Sequence, residues 1–257
     1  MRHETIEWQV EGGVGTITMN RPGRRNAMTT QMLRELHELL HEVAEDETLA
    51  VLVLTGAGDW FCPGADIEHQ VEHGPADNPD LAYFDVPALL HTMPAITVAA
   101  VNGPCAGAGM GIALACDLLY ASSSAKFNTA FLQVGVAGDM GIPWMLQRLV
   151  GSRVARELTF FPQKVDAARA TDLGLANAVF APEELVPGVR ARAEELAAWA
   201  PLARRALKQN HVDAETLGFG EFVALEAGRH LPLLSSEDCR EAFAAYSEKR
   251  PAVFSGR

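Results

Sequence analysis

The segment Val101-Asn102-Gly103-Pro104-Cys105-Ala106-Gly107-Ala108-Gly109-Met110-Gly111-Ile112-Ala113-Leu114-Ala115-Cys116-Asp117 constrains this chain more than any other. It continues a compact β-rich run at residues 95–101 and passes through a glycine-rich turn into a small-residue helix near residues 108–116. Without bulky side chains a backbone can approach a ligand closely, and the first N–H groups of a helix are unpaired donors with a favourable dipole. Such a place suits developing negative charge. The plainer alternative is that the glycines only let the helix pack tightly on a sheet. A dinucleotide site does not fit, because the Gly107-x-Gly109 spacing would require glycine where Ile112 stands, and Asp117 comes too early to reach a ribose.

Other segments give a strand, loop, helix rhythm of the α/β type. Residues 15–19 alternate apolar and polar, residues 32–43 have helical spacing, and residues 51–55 and 117–122 read as strands. After Val179 the pattern is helical only, starting at Pro182-Glu183-Glu184, and a boundary falls near Pro201. Helices such as residues 203–212 and 239–248 carry apolar faces with little chain of their own to cover them. They are expected to bury those faces on the core or on a neighbouring subunit.

Composition narrows the classes. With 257 residues, 48% of them hydrophobic, the chain can bury a sizeable core, and its net charge of −12 argues against nucleic acid as the main partner. The first ten residues lack the apolar centre of a signal peptide, and residues 95–101 are far too few to cross a bilayer, so a cytoplasmic protein with no membrane partner is expected. Cys62, Cys105, Cys116 and Cys239 lie at irregular spacings, which fits buried reduced thiols better than a disulfide or zinc framework.

A second segment, Thr55-Gly56-Ala57-Gly58-Asp59-Trp60-Phe61-Cys62-Pro63-Gly64-Ala65-Asp66-Ile67, runs from a strand end through a tight turn to a helix start. Gly64 can adopt angles closed to other residues, leaving the Ala65 N–H to point into a cleft. An ordinary strand-to-helix turn is the plainer reading. His37-Glu38-Leu39-Leu40-His41 matches HExxH, in which two histidines one helical turn apart bind zinc and the glutamate activates water. Yet Leu33, Leu36, Leu40 and Val43 form the apolar stripe, which places both histidines on a solvated flank, and no third ligand is identifiable, although His69 and His73 repeat the spacing.

Taken in order, F-C-P-G-A-D-I at residues 61–67, A-V-N-G-x-x-x-G-A-G at residues 100–109 and Cys116-Asp117 resemble the enoyl-CoA hydratase/isomerase (crotonase) family. Met19-Asn20-Arg21-Pro22 with Arg25-Asn26-Ala27, Gln147-Arg148-Leu149-Val150-Gly151, Val165-Asp166-Ala167 with Leu173-Gly174-Leu175-Ala176, and Ser247-Glu248-Lys249-Arg250 extend the likeness over nearly the whole chain. The resemblance implies an α/β fold: a ββα spiral core over residues 1–200 holding an acyl-CoA site, and a C-terminal α-helical trimerisation region over residues 201–257, assembled as a homotrimer or a dimer of trimers. It implies an acyl-CoA thioester as partner, with coenzyme A entering as part of the substrate and no tightly bound cofactor or metal. The thioester oxygen would be held by the N–H groups of Ala65 and Ala108; Arg25, Ala27, Ala65, Asp66 and Ile67, with Lys249 and Phe254 of an adjacent subunit, would surround the CoA moiety. Solvated surface charge is the competing reading for Arg25 and Lys249.

Family hydratases carry two glutamates that activate water; their places here hold Gly111 and Phe131, neither of which can move a proton. Asp139, in Gly135-Val136-Ala137-Gly138-Asp139-Met140-Gly141, resembles by place the aspartate of ring-epoxide phenylacetyl-CoA isomerases and double-bond isomerases, and the nucleophilic aspartate of chlorobenzoyl-CoA dehalogenase. Enoyl-CoA isomerisation with Asp139 as proton shuttle is therefore expected, with a raised pKa among apolar neighbours such as Phe131 and Met140. Hydration by another water-activating group, thioester hydrolysis or dehalogenation with His91 as a remote base, and a non-catalytic acyl-CoA binder are the alternatives. For Asp139 itself the alternative is a cap on the helix beginning near Ile142-Pro143. Residues 69–88 are expected to be a loop walling the acyl pocket.

Overall fold

The computed structural model describes residues 3–74 and 79–257. The chain begins with a hairpin, β1 (Ile6–Glu11) against β2 (Val14–Met19), and continues through α1 (Thr30–Ala44) to β3 (Val51–Gly56). After α2 (Ile67–His73) and α3 (Val86–Thr92) come β4 (Ile96–Val101), β5 (Cys105–Ala106) and α4 (Ala108–Ala115). The core is completed by β6 (Leu118–Ser122), β7 (Lys126–Asn128), α5 (Ile142–Phe160), β8 (Val165–Asp166), α6 (Ala167–Asp172), β9 (Ala178–Phe180) and α7 (Pro182–Ala198).

Six strands form one sheet in the order β1-β2-β3-β4-β6-β9, parallel from β2 onward, and β5, β7 and β8 form a second. β4 and β6 are each followed by a short strand of the small sheet, β5 and β7, and β8 of the small sheet precedes β9, the last strand of the large one. The small layer is extended by single bridges of Cys62 with Cys105 and of Met28 with Ala65. This is the ββα spiral that the family resemblance implies.

The sequence of β3 explains its position. Val51, Leu52, Val53 and Leu54 are all buried, as expected for a parallel strand covered on both faces. Leu52 and Leu54 join the main core with α1 and α4, whereas Val51 and Val53 face the other way. There they meet Val98, Tyr120 and the α7 residues Leu185, Val189 and Ala193. On α1 the apolar stripe Leu33, Leu36, Leu40 and Val43 is buried, and the Thr29 hydroxyl caps the helix by accepting from the Met32 N–H at 3.2 Å.

Two expectations need correction. Residues 69–88 are not one loop: they hold the end of α2, a 3₁₀ turn at Leu81–Asp85 and the start of α3, while residues 75–78 lie outside the described residues. The first strand, β1, goes unread in the sequence although Ile6, Trp8 and Val10 alternate with the outward-facing Glu7, Gln9 and Glu11; as an edge strand it buries only Ile6 fully.

A helix does begin at Pro201: α8 (Pro201–Ala214), followed by α9 (Phe219–Leu233) and α10 (Glu237–Glu248). These helices are tied to the core by polar contacts. Lys208 is buried and ion-paired to Asp117, whose other oxygen accepts from the Thr97 N–H at 2.8 Å, and Arg204 donates to the carbonyl of Trp199 at 3.0 Å. Phe219, Leu231, Phe243 and Tyr246 remain exposed. Among the described residues no helix is long and apolar enough to cross a membrane. Lys208→Ala removes a buried side chain and its ion pair but leaves Asp117 partly exposed and still hydrogen-bonded to Thr97, so it is expected to destabilise the chain by about 1–2 kcal/mol, read as a lower urea midpoint at unchanged slope.

Candidate active site

The loop after β3 is built by two buried or half-buried amides. Asn26, in the left-handed region at φ 59°, donates to the carbonyls of Ala57 at 2.9 Å and Trp60 at 2.6 Å. Asn102 at the end of β4 donates to those of Gly56 and Gly58 at 2.8 and 2.7 Å. Both asparagines belong to motifs visible in the sequence, but their positioning role is not, since it depends on carbonyls 31 to 46 residues away.

This scaffold delivers Gly64 to the start of α4. Gly64 has φ +98°, and a Cβ placed on it would lie 3.1 Å from the carbonyl oxygen of Ala106 and 3.5 Å from the nitrogen of Ala108. Only glycine fits both the angle and the space. The Gly64 carbonyl accepts from the Met28 N–H at 2.8 Å, and the Met28 carbonyl accepts from Asp66 N–H at 2.8 Å. In a trans peptide N–H and C=O point in opposite directions, so the Ala65 N–H points away from Met28 toward α4. In the same way the Gly107 carbonyl turns into α4 to accept from Gly111 at 3.1 Å, and the Ala108 N–H points out of the helix end. Neither of these two N–H groups has a protein acceptor among the described residues. Two free donors thus sit side by side.

The turn that carries Asp139 packs on the same helix, α4. Gly111 lies one turn beyond Ala108, and a Cβ there would stand 2.7 Å from the Met140 carbonyl oxygen and 3.2 Å from Ile142 Cγ1. The turn carrying Asp139 is therefore seated directly on α4. The Phe131 ring fills the gap between the glycines on either side, lying within 3.9 Å of a Cβ built on Gly107 and 3.6 Å of one on Gly138. The two positions that by resemblance correspond to the hydratase glutamates, Gly111 and Phe131, are thus taken up by backbone packing and an aromatic ring.

The Asp139 side chain does not cap α5. Gly141 holds the cap position, and only the Asp139 carbonyl serves the helix, accepting from Ile142 N–H at 3.2 Å. Its Oδ1 is buried with no hydrogen-bond partner, and burial pushes the carboxyl pKa up, as the sequence leads one to expect. Cys62, between the two loops, is no nucleophile. Burial pushes its thiol up to about 12. His91 is engaged elsewhere, hydrogen-bonded to Glu215 at 3.0 Å and edge-on to Trp144.

Five of the residues expected around coenzyme A come together. Arg25, Ala27, Ala65, Asp66 and Ile67 line one open cavity of about 240 Å³ with Gly23, Arg24 and Pro63. Arg25 lies over the Trp60 ring at 5.2 Å and is exposed. Asp66 has a different task from a direct CoA contact. Its carboxylate is buried, paired with Arg21 and Arg24 at 2.9 Å each, and accepts from His69 N–H to cap α2. Burial pushes its pKa up, but hydrogen bonds from the Arg24 side chain, the His69 backbone N–H and the Arg21 side chain outweigh it and hold the pKa at about 2. Lys249 and Phe254 are not brought to this cavity within the chain, since the tail after α10 folds back on that helix, where Ser255 and Gly256 N–H donate to Asp238. A second cavity of about 240 Å³, lined by Phe131, Leu132, Ala137, Pro143 and Phe160 among others, adjoins the Asp139 turn.

Residues 9–257 match the family model described as enoyl-CoA hydratase/isomerase. The chain belongs to this family. Among similar proteins, the 1,2-epoxyphenylacetyl-CoA isomerase of Escherichia coli K12 is 34% identical with 99% of each chain covered. The short-chain-enoyl-CoA hydratase of Clostridium acetobutylicum is 32% identical with 97% of each covered. The crystal structure of an enoyl-CoA hydratase subunit I from Geobacillus kaustophilus superposes with a TM-score of 0.90 at 34% identity, covering 99% of both chains. Members of the enoyl-CoA hydratase/isomerase family act on CoA thioesters, so the chain is an acyl-CoA enzyme, and hydratase names outnumber isomerase names among its relatives.

Two outcomes follow for this site. Gly111→Ala is expected to displace the Asp139 turn, lowering stability by about 1–3 kcal/mol and turnover by more than thermal unfolding alone explains. The depressed Asp66 contributes stability that is present above the unfolded carboxylate pKa of about 3.9 and lost as pH falls toward 2; it amounts to roughly 2 kcal/mol. Acid titration of Asp66→Asn by circular dichroism is expected to show a shallower stability loss between pH 4 and pH 2 than the parent, to about that extent.

Proposed function

We propose that this enzyme isomerises enoyl-CoA thioesters by moving a proton with Asp139, while the Ala65 and Ala108 N–H groups stabilise the enolate oxygen. The observation that carries this reading is a half-buried carboxyl group with one buried, unpaired oxygen, on a turn packed against the helix that starts with one of two unpaired backbone donors, with no second carboxylate at Gly111 or Phe131. Each donor would lower the barrier by about 3 kcal/mol if aimed at the developing oxyanion in a dry site. The carboxylate would remove a proton from one carbon of the acyl chain and return it to another, a role suited by a pKa above the usual carboxylate range.

The isomerase relative from Escherichia coli supports this choice, and the hydratase names among the others support water addition as the second reading. Coenzyme A would lie in the cavity at Arg25, Ala27 and Ile67, with Asp66 holding Arg21 and Arg24 in place, and the acyl chain would enter the apolar cavity at Phe131. Assembly as a homotrimer or a dimer of trimers belongs to the same proposal: it would cover the exposed apolar residues of α9 and α10 and bring Lys249 and Phe254 to a neighbour's cavity.

Incubation with α,β- and β,γ-unsaturated acyl-CoAs in heavy water distinguishes the readings. Deuterium uptake with a double-bond shift is expected, whereas gain of one water per molecule would replace isomerisation by hydration. In Asp139→Asn the exchange is expected to fall about 10²–10⁴-fold with binding retained. Because a raised carboxyl pKa favours the folded state only while the group is protonated, the parent loses that stability as pH rises through it. At neutral pH the variant should therefore melt no lower than the parent, and turnover of the parent should rise with pH as Asp139 ionises.

A further inference from the structure

The His37-Glu38-Leu39-Leu40-His41 segment has no place in the thioester chemistry, yet the fold completes it. His37 and His41 lie one turn apart on α1, with ring centroids 4.5 Å apart. The third group missing from the sequence reading is Asp85, 44 and 48 residues further on, at the junction of the Leu81–Asp85 turn and α3. One of its oxygens lies 2.7 Å from His37 Nδ1 and the other 3.1 Å from His41 Nε2. One ligand atom from each of the three residues lies within 4.8 Å of the other two.

We propose that His37, His41 and Asp85 bind a divalent transition-metal ion of the zinc class, which clips α1 to the segment leading into α3. Two imidazoles and a carboxylate form a donor set that suits such an ion, with water completing a tetrahedron. Tetrahedral ligation with bonds of about 2.0 Å separates ligand atoms by about 3.3 Å, so the three groups need to shift only by fractions of an ångström to at most about 1.5 Å. The site is open to an entering ion: the His41 side chain is 53% exposed and that of Asp85 39%. Tyr83, from the same turn, packs on the His37 ring at 5.2 Å and limits its rotation. α3 buries Val86, Pro87 and Leu90 and packs against α4, so the clip braces the helix whose first residue is Ala108.

The site is structural and not hydrolytic. Glu38, which would have to face a metal-bound water in a peptidase, turns along the helix to Arg34 at 3.9 Å. The other histidine pair at this spacing, His69 and His73, stacks ring on ring at 4.0 Å.

Titration of the full chain with Zn²⁺ by calorimetry, and with Co²⁺ by visible absorption, tests the proposal. Saturable binding is expected with a Kd below about 100 µM, together with a rise in Tm. The Kd should weaken at least about tenfold in His41→Ala and in Asp85→Asn, and stay unchanged in Glu38→Ala and in the His69→Ala/His73→Ala double variant. His41 and Asp85 are exposed enough for the variants to fold, which circular dichroism and retained thioester turnover would verify. No saturable binding by the parent, or binding that survives in the folded His41→Ala and Asp85→Asn variants or is lost in the His69→Ala/His73→Ala variant, would overturn it.

Discussion

The contact between Gly64 and the first turn of α4 is the constraint on which the site depends. Two loops that leave different strands of the same sheet meet there so closely that a single Cβ at position 64 would touch both the Ala106 carbonyl and the Ala108 nitrogen. That approach brings two peptide planes close together, and in the proposed function their N–H groups face one cleft. The donors are main-chain atoms, so their aim is set by the whole spiral and not by a side-chain rotamer. This is the kind of fixed polar environment that needs no reorganisation when charge develops.

The same economy of side chains at α4 explains the placement of Asp139. Gly111 lets the Met140 backbone rest on the helix, and the positive φ values of Gly138, Met140 and Gly141 carry the chain around a turn that ordinary sequences avoid. The result is a carboxyl group with one buried oxygen left unpaired, a condition that costs stability and that folded chains seldom retain without use. Asp66 is the opposite case: a buried carboxylate with two arginines and a helix cap satisfied, serving to hold the loop that carries Ala65. Two aspartates near one cleft thus have pKa values pushed in opposite directions by their surroundings.

Much of this was legible in the sequence, for identifiable reasons. The parallel strands β3 and β4 are continuous apolar runs, and α1 has a clear 3.6-residue stripe, so period and length suffice to place them. The small sheet is not legible: β5 and β8 are two residues long and have no periodicity of their own. The asparagine clasps of Asn26 and Asn102, the Asp66 ion pairs and the approach of Asp85 to the two histidines all join residues 31 to 48 positions apart. Local pattern carries no information on such pairs. Residues 69–88 mislead because their helices are short and their proline and aspartate content imitates a loop, although Pro87 starts a helix and Asp80 caps a turn.

A crystal structure with a bound, non-reacting acyl-CoA would test the account at its centre. It predicts the thioester oxygen at about 2.7–3.1 Å from both the Ala65 and Ala108 nitrogens, with the Asp139 carboxyl group facing the acyl carbons. A thioester oxygen held by water or by side chains, with either amide turned to a protein acceptor, would contradict it.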